Sequence, residues 1–310
     1  MTNEKKWLSV VGIGEDGLSG LSAIARSVLH SARVIVGGSR HLAMLAPDDR
    51  REKIIWSSPI STSVEEILQR RGESVCILAS GDPMCFGIGV TLKRKVPLSE
   101  MTIIPAPSCF SLACARLGWS RAEVETLSLC SRPPALIQPF IYPGARILIL
   151  SEGKDTPKIV AEILTKRGYH DSIITILERM GGSQERIVEA TAAAWTTTEL
   201  ADLNTIAVEC IADKGVLPLP RTGGLPDEAY HHDGQLTKRE VRAITLAALA
   251  PTPGQLLWDV GAGCGSIAIE WMRSHPRCRA VAIEQNSLRV QYIADNALAL
   301  GTPGLEIIHG

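Results

Sequence analysis

The sequence is poor in aromatic residues and carries almost no net charge. Phe, Tyr and Trp make up 4% of the 310 residues, and 32 basic side chains nearly balance 33 acidic ones. A general nucleic-acid-binding protein would show a basic excess or a basic stripe, so we expect no nucleic-acid partner. No apolar run is long enough to cross a membrane as a helix, and the N-terminal segment lacks the features of a signal peptide. These absences predict a soluble, cytoplasmic protein with no membrane partner.

Closely paired cysteines are also missing. The eight cysteines include no C-x-x-C pair, and the closest two, Cys109 and Cys114, are five positions apart. A structural zinc site normally uses tighter spacing with histidines nearby, so no metal is predicted. In a cytoplasmic chain of this length we expect free, mostly buried thiols. His231 and His232 are adjacent but have no spaced partner, and we expect them to lie in a flexible connection.

Short apolar runs alternate with amphipathic stretches along the whole chain. This alternation is typical of βα units around a mainly parallel sheet. The pattern predicts strands at 7–13, 33–36, 53–56, 74–79, 101–104, 145–150, 172–177, 205–211, 255–260, 280–283 and 305–308, and helices at 21–32, 64–71, 108–117, 156–167, 237–249, 266–273 and 288–300.

One stretch interrupts this alternation. Residues 213–236 are rich in proline and glycine and have no apolar periodicity, which is typical of a connection between domains. The sequence therefore predicts a domain at 1–212, a linker at 213–236 and a second α/β series at 237–310. That series has few predicted strands, whereas an open nucleotide-binding sheet normally has about five or more. We expect it to be the N-terminal half of a domain, with an uncovered strand edge and an uncovered apolar face on the helix at 288–300.

The strongest chemical signal is the segment 257–266, LWDVGAGCGS. A hydrophobic strand runs into Asp259 and then into glycines at alternate positions, which let the backbone approach a ligand closely. The dinucleotide pattern G-x-G-x-x-G is not matched, because the third glycine comes one residue early. The D-x-G-x-G-x-G form resembles the class I methyltransferases that use S-adenosylmethionine. This resemblance places the whole loop at the cofactor: Gly261, Ala262, Gly263, Cys264 and Gly265.

Glu284 follows the next apolar run, AVAI, nineteen residues after Gly265. An acidic residue at the end of the second strand is placed to accept hydrogen bonds from the two ribose hydroxyls of an adenosine ligand. The residues favour S-adenosylmethionine as that ligand. A NAD-binding fold with a degenerate loop and a glycine turn without a ligand stay open as alternatives.

The N-terminal segment GIGEDG begins at Gly12 and matches G-x-G-x-x-G after a predicted strand. The next strand, however, runs into Gly37 and Gly38, so the acidic residue that would bind the ribose of NAD is missing. The glycine pattern alone therefore gives weak support to a dinucleotide site.

A further segment at 79–89, ASGDPMCFGIG, follows a predicted buried strand. With the early glycine loop, its G-D-P-x-x-x-G-x-G arrangement resembles the tetrapyrrole methylase family. IPAPSCFS at 104–111 and ERMGGSQE at 178–185 resemble two more family segments, although Pro107 and Cys109 depart from the P-G-x-S-S pattern. The resemblance covers roughly 7–212. It implies a class III methyltransferase fold with two α/β lobes, and it places these residues at the cofactor: Gly12, Gly81, Asp82, Pro83, Gly87, Ser108 and Ser111. A cap on the helix that follows is at least as good an explanation of Ser108 and Ser111.

The C-terminal part resembles another family domain. GLPD at 224–227, LTKREVR at 236–242 and the glycine loop resemble the decarboxylating precorrin methyltransferase domain, and this resemblance places Thr237 at the cofactor. Thr237 and Glu240 also form a T-x-x-E capping box, which is a sufficient structural reason for both. The resemblances together imply an α/β chain: a two-lobed tetrapyrrole methylase domain followed by an incomplete Rossmann-like class I methyltransferase domain.

The activity that these resemblances imply is methylation of a precorrin macrocycle at carbons 5 and 15, with decarboxylation of the ring C acetate, in cobalamin biosynthesis. We expect a homo-oligomer that uses S-adenosylmethionine. We also expect residues 1–310 to catalyse at most one methylation, without decarboxylation. The alternatives are a NAD-dependent oxidoreductase and a nucleotide-binding regulatory module.

Methyl transfer is an in-line displacement that depends chiefly on orientation, so the sequence assigns no catalytic residue. Asp82 is a candidate general base, although a residue before proline in a tight turn is commonly structural. The substrate carries many carboxylates, which suit arginine forks, but a solvated surface arginine is the default interpretation. The candidate arginines are Arg40, Arg132, Arg221, Arg239 and Arg242.

Overall fold

The computed structural model describes residues 6–196 and 199–310. The chain divides into two compact units. The first unit comprises 1–123, 177–187 and 203–205, and the second comprises 124–176, 188–202 and 206–310.

The regular elements follow the predicted alternation of strands and helices. The described strands are β1 (Leu8–Ile13), β2 (Val34–Gly37), β3 (Glu52–Ile55), β4 (Val75–Ser80), β5 (Met101–Ile104), β6 (Glu125–Ser128), β7 (Arg146–Leu150), β8 (Ile173–Glu178), β9 (Arg186–Thr191), β10 (Asn204–Glu209), β11 (Leu256–Val260), β12 (Arg279–Glu284) and β13 (Glu306–His309). The described helices are α1 (Ala23–Ser31), α2 (Ser39–Leu42), α3 (Ile60–Gln69), α4 (Ile88–Lys93), α5 (Cys109–Leu117), α6 (Thr156–Lys166), α7 (Arg239–Leu249), α8 (Ser266–Ser274) and α9 (Ser287–Ala299).

The first sheet has the strand order β3-β2-β4-β1-β5, and its adjacent strands run parallel. Successive side chains alternate between two buried clusters: Val10 and Ile77 belong to one, Val11 and Leu78 to the other. A parallel sheet that is apolar on both faces is expected when helices cover both sides. Because the strands are parallel, the loops that follow β1, β2, β4 and β5 lie at the same edge of the sheet.

The second sheet has the order β6-β7-β10-β8-β9 and surrounds its own apolar core. Its central strands are the apolar runs that the sequence predicts. The edge strand β6, with the sequence ETLS, has no comparable apolar signal and was not predicted.

The third sheet contains β11, β12 and β13 in that order, all parallel. Helix α9 buries Ile293 and Ala297, while Leu288 and Leu298 on its other side are exposed. Trp258, on β11, is 64% exposed. The face of α9 that holds Ile293 and Ala297 is therefore covered, whereas Leu288 and Leu298, in the helix that the sequence predicted to have an uncovered apolar face, are in contact with solvent.

Candidate cofactor and substrate sites

In the first unit, backbone hydrogen bonds join the loops that follow β1, β4 and β5. The N–H of Gly81 donates to the carbonyl of Ile13 at 3.0 Å, and the N–H of Ala106 donates to the carbonyl of Gly81 at 3.1 Å. A Cβ on Gly12 would lie 1.9 Å from the Gly81 oxygen, so only glycine fits there. The structure therefore brings together Gly12 and the G-D-P turn, as predicted, and a close approach of two backbones explains the glycine.

Asp82 stabilises its own turn. Its Oδ1 accepts a hydrogen bond from the N–H of Met84 at 2.8 Å, and its carbonyl accepts one from the N–H of Cys85 at 3.0 Å. Cβ atoms on Gly87 and Gly89 would lie within 3 Å of the Pro83 carbonyl oxygen, so the backbone packs too tightly in this turn for a side chain at either position. These contacts give Asp82 the structural role that the sequence favoured over a general base.

Ser108 is the N-cap of α5. Its hydroxyl accepts a hydrogen bond from the N–H of Ser111 at 3.1 Å, and the two hydroxyls are 3.0 Å apart. The capping role is therefore confirmed. Contact of these hydroxyls with cofactor stays a prediction.

A polar cluster beside the G-D-P turn was not predicted from the sequence. Arg40 forms an ion pair with Glu15 and donates from Nη2 to the Ser80 hydroxyl at 2.9 Å. The Nε2 atom of His41 lies 3.0 Å from the same hydroxyl. Burial and the Arg40 charge lower the pKa of His41 to about 4, so its imidazole is neutral near pH 7. The cluster connects Glu15, in the loop after β1, and helix α2 to Ser80, which directly precedes Gly81.

In the second unit, the loop after β11 has the backbone that its glycines permit. Gly261, Gly263 and Gly265 all have positive φ angles, of 74°, 60° and 80°. Such angles are costly for other residues. A Cβ on Gly261 would meet no described atom within 4 Å, so this side of the loop is open to a ligand. The loop therefore fits the cofactor cradle that the sequence predicted.

Asp259 holds this loop on the following helix. Its Oδ2 accepts a hydrogen bond from the N–H of Ala268 in α8 at 3.1 Å, and burial raises the pKa of its carboxyl group. Cys264 is buried, and burial raises the pKa of its thiol as well. Cys264 is therefore a small loop residue whose thiol is poorly ionised.

Glu284 lies at the end of β12, directly beside this loop. Its carboxylate accepts hydrogen bonds from two backbone N–H groups, those of Gly263 and Asn286. The structure therefore brings Glu284 to the glycine loop as predicted, and a ribose contact stays a prediction.

The predicted capping box at Thr237 is wrong. Helix α7 begins at Arg239, its N-cap is Lys238, and no side chain caps it. The carbonyl of Thr237 instead accepts a hydrogen bond from Nη1 of Arg242. A buried guanidinium that needs acceptors determines the local structure here, and the short-range sequence signal does not.

The candidate arginines have different environments. Arg242 is fully buried and bonded to Asp227 and Glu270, so it is not available to a substrate carboxylate. Arg239 donates to the Gly224 carbonyl, and Arg221 lies over the ring of Phe140 at 4.2 Å. Arg40, in the cluster beside Gly81, retains partial exposure, and Arg132 is exposed.

Among the described residues, all eight cysteines are free, and five of them are buried: Cys76, Cys114, Cys210, Cys264 and Cys278. The described part of the chain holds no group of metal-binding side chains. Nor does any described helix have the length and apolar composition needed to span a membrane.

Comparison with known families gives two matches. Residues 8–195 match the Tetrapyrrole (Corrin/Porphyrin) Methylases, and residues 228–310 match a Precorrin methyltransferase domain. A precorrin-6Y methylase structure from Archaeoglobus fulgidus superposes with a TM-score of 0.50 at 26% identity, covering 66% of this chain and 98% of that one. Fold and site thus define a tetrapyrrole methylase, as the sequence predicted.

A more specific relative is a precorrin-6Y C(5,15)-methyltransferase [decarboxylating] from Sinorhizobium sp. It is 45% identical over 304 residues, which cover 98% of this chain and 74% of the relative. This chain belongs to the family of decarboxylating precorrin-6Y C(5,15)-methyltransferases.

Two shorter relatives match parts of the chain. A cobalt-precorrin-7 C(5)-methyltransferase from Salmonella typhimurium is 28% identical over 180 residues, which cover 58% of this chain and 88% of the relative. A cobalt-precorrin-6B C(15)-methyltransferase (decarboxylating) from the same organism is 33% identical over 75 residues, which cover 24% of this chain and 39% of the relative.

Proposed function

We propose that this protein methylates a precorrin macrocycle at carbons 5 and 15 and decarboxylates its ring C acetate, with S-adenosylmethionine as the methyl donor, in cobalamin biosynthesis. The expectation that residues 1–310 tested by themselves catalyse at most one methylation, without decarboxylation, stays a prediction. The observation that carries the proposal is the presence of two separate glycine loops, each at the carboxyl ends of parallel strands, where α/β proteins bind ligands. Both matched families are methyltransferases, which favours this activity over a NAD-dependent oxidoreductase or a regulatory module.

The two methylations divide between the two family segments. The relative named for carbon 5 matches over 180 residues, close to the length of the tetrapyrrole methylase segment at 8–195. The relative named for carbon 15 and decarboxylation matches over 75 residues, close to the length of the segment at 228–310. We therefore assign carbon 5 to the N-terminal site and carbon 15 to the C-terminal site. The C-terminal family match begins at residue 228, inside the predicted linker at 213–236. The boundaries at 1–212, 213–236 and 237–310 stay a prediction.

The proposed N-terminal cofactor residues are Gly12, Gly81, Asp82, Pro83, Gly87, Ser108 and Ser111. The proposed C-terminal residues are Thr237, Gly261, Ala262, Gly263, Cys264, Gly265 and Glu284. Bound S-adenosylmethionine supplies an electrophilic methyl group on sulfur. The residues of the chain orient that group toward the macrocycle carbon, which accounts for much of the rate enhancement in reactions of this type.

Arg40 is the arginine best placed to bind a macrocycle carboxylate in the first unit. Its guanidinium is partly exposed and lies at the sheet edge that carries the G-D-P turn.

Two-site calorimetry with S-adenosylhomocysteine, with NAD as the control ligand, tests the proposed activity at the level of binding. We expect two bound molecules of S-adenosylhomocysteine per chain and none of NAD.

We also propose a cytoplasmic homo-oligomer. Individual exposed apolar side chains on β11 and α7 support association, since exposed apolar surface favours contact with a partner. They include Trp258, Val260 and Ile244, which are 64%, 74% and 70% exposed. Sedimentation analysis of the wild-type chain and of Trp258→Ser tests this proposal, and we expect the substitution to weaken association.

A further inference from the structure

Asn296 is fully buried in α9 and makes three hydrogen bonds through its side chain. Its Oδ1 accepts from the N–H of His231 at 2.8 Å, and its Nδ2 donates to the carbonyl of His231 at 3.0 Å. Nδ2 also donates to the carbonyl of Cys264 at 3.0 Å. One carboxamide thus binds both backbone groups of His231 and one carbonyl of the cofactor loop.

These contacts join segments that are far apart in the sequence. His231 is 65 positions from Asn296, and Cys264 is 32 positions from it. A buried carboxamide is costly unless its polar atoms are bonded, so this side chain is stable only while both segments stay in place. A leucine at position 296 could make none of the three hydrogen bonds, so the backbone groups of His231 and the carbonyl of Cys264 would lose their partner. Aspartate would turn a negatively charged oxygen toward two carbonyl oxygens.

A second buried group, centred on Glu270, binds the segment that precedes His231. The carboxylate of Glu270 accepts hydrogen bonds from the backbone N–H groups of Gly224 and Leu225 and from the hydroxyl of Tyr230 at 2.8 Å. Arg242 completes this group through its bond to Glu270 at 2.8 Å. Residues 224–231 are therefore fixed at both ends, whereas the sequence predicted a flexible connection.

The chain that follows His231 runs along the glycine loop. The carbonyl oxygen of Gln235 lies 3.8 Å from the position of a Cβ on Gly263. Asp233 forms an ion pair with Arg289 of α9 at 2.8 Å. Residues 231–237 therefore lie beside the loop at 261–265, and Asn296 bonds directly to both segments.

We propose that Asn296 is a positioning residue for the C-terminal cofactor site, which holds residues 231–237 against the loop at 261–265 as one wall of that site. The ligand that binds against this wall is an adenosine cofactor of the S-adenosylmethionine type. The inference rests on the proposed function in one respect, namely that the loop at 261–265 binds this cofactor.

Amide hydrogen exchange of the wild-type chain, with and without S-adenosylhomocysteine, tests the coupling without any substitution. We expect the ligand to slow exchange both at 261–265 and at 231–237. Slower exchange at 261–265 alone would overturn the role of Asn296 and leave the proposed function intact. Unchanged exchange at both segments would overturn the C-terminal cofactor site itself, and the inference with it.

Substitution then tests Asn296 directly. In Asn296→Asp and Asn296→Leu we expect S-adenosylhomocysteine to bind the C-terminal site about tenfold more weakly, as for one lost buried hydrogen bond. We expect the ligand to lose its effect on exchange at 231–237 in both variants. Slow amide exchange in β11 and β12 reports whether the C-terminal part of the variant is folded, and Gln291→Leu, on the exposed side of the same helix, is the matched control. Variants that are less stable but keep the coupled protection of both segments would show a merely structural role and contradict the proposal.

Discussion

Glu284 accepts a hydrogen bond from the backbone N–H of Gly263 at 2.8 Å, and its second oxygen accepts one from the N–H of Asn286 at 2.9 Å. The end of β12 is thereby connected to the glycine loop by one buried carboxylate. Each carboxylate oxygen can accept more than one hydrogen bond, so Glu284 can also bind ribose hydroxyls. The residue has a structural role and a proposed binding role at once.

The first prediction concerns this carboxylate. Glu284→Ala removes a charged acceptor, and we expect a loss of about 1–3 kcal/mol in cofactor binding at the C-terminal site, the usual cost of such a bond. Two-site calorimetry with S-adenosylhomocysteine measures it. Glu306→Ala, at an exposed position on β13, is the control. An equal loss at both sites would contradict the assignment of Glu284.

The second prediction concerns Gly81. Its φ angle is 54°, and a Cβ there would lie 2.9 Å from the Pro107 carbonyl oxygen. We expect Gly81→Val to separate the loops after β4 and β5 and to abolish measurable binding at the N-terminal site, with the C-terminal site unchanged. Gly72→Val is the matched control, because Gly72 also has a positive φ but a Cβ there meets no described atom within 4 Å. Unchanged affinity for S-adenosylhomocysteine at the N-terminal site of a folded Gly81→Val protein would contradict the assignment of Gly81 to that site.

The third prediction concerns Phe86, in the same turn. Phe86 has a positive φ of 54°, unusual for an aromatic residue, and its side chain is 47% exposed. An exposed ring beside the cofactor loop can stack on a macrocycle, and such contacts contribute about 0.5–1.5 kcal/mol. We expect Phe86→Ala to raise KM for the precorrin several-fold and to leave KM for S-adenosylmethionine unchanged. Initial-rate kinetics measure both KM values. A rise in KM for S-adenosylmethionine alone would contradict the prediction. Ile24→Ala, at an exposed position of α1, is the control.

The fourth prediction follows from the pKa of His41, which burial and Arg40 lower from 6.5 to about 4. The unfolded chain binds this proton at higher pH than the folded chain does. The stability contribution is therefore present above about pH 6.5 and is lost as the pH falls toward 4. At about pH 5 the loss is about 2 kcal/mol. Urea unfolding at about pH 7.5 and about pH 5 should show this loss in the wild type and not in His41→Gln. The same pH dependence in both proteins would refute this account.

The sequence predicted the elements whose signal is local. The apolar run around Val10 and the D-x-G-x-G-x-G loop after Asp259 each need only neighbouring residues to be recognised, and both lie where expected. The cap at Ser108 is likewise confirmed, because it depends on Ser111, three positions away.

The features that sequence reasoning missed depend on distant partners. Ser80 and His41 are 39 positions apart, and Asn296 and His231 are 65 apart, so no periodicity or spacing rule brings them together. At Thr237 the local capping signal was present, but the buried Arg242 donates a hydrogen bond to the Thr237 carbonyl, and the helix begins at Arg239. Tertiary contacts of buried polar groups decided the structure at these places.

Transfer of labelled methyl groups to the macrocycle tests the central claim most directly. The chain is incubated with a precorrin that is unmethylated at carbon 5 and with carbon-13-labelled S-adenosylmethionine, and the labelled carbon is located by NMR. We predict label at carbon 5 in the wild type and in Glu284→Ala, and none in Gly81→Val. Label at carbon 5 that persists in Gly81→Val and disappears in Glu284→Ala would contradict the assignment of this methylation to the N-terminal site.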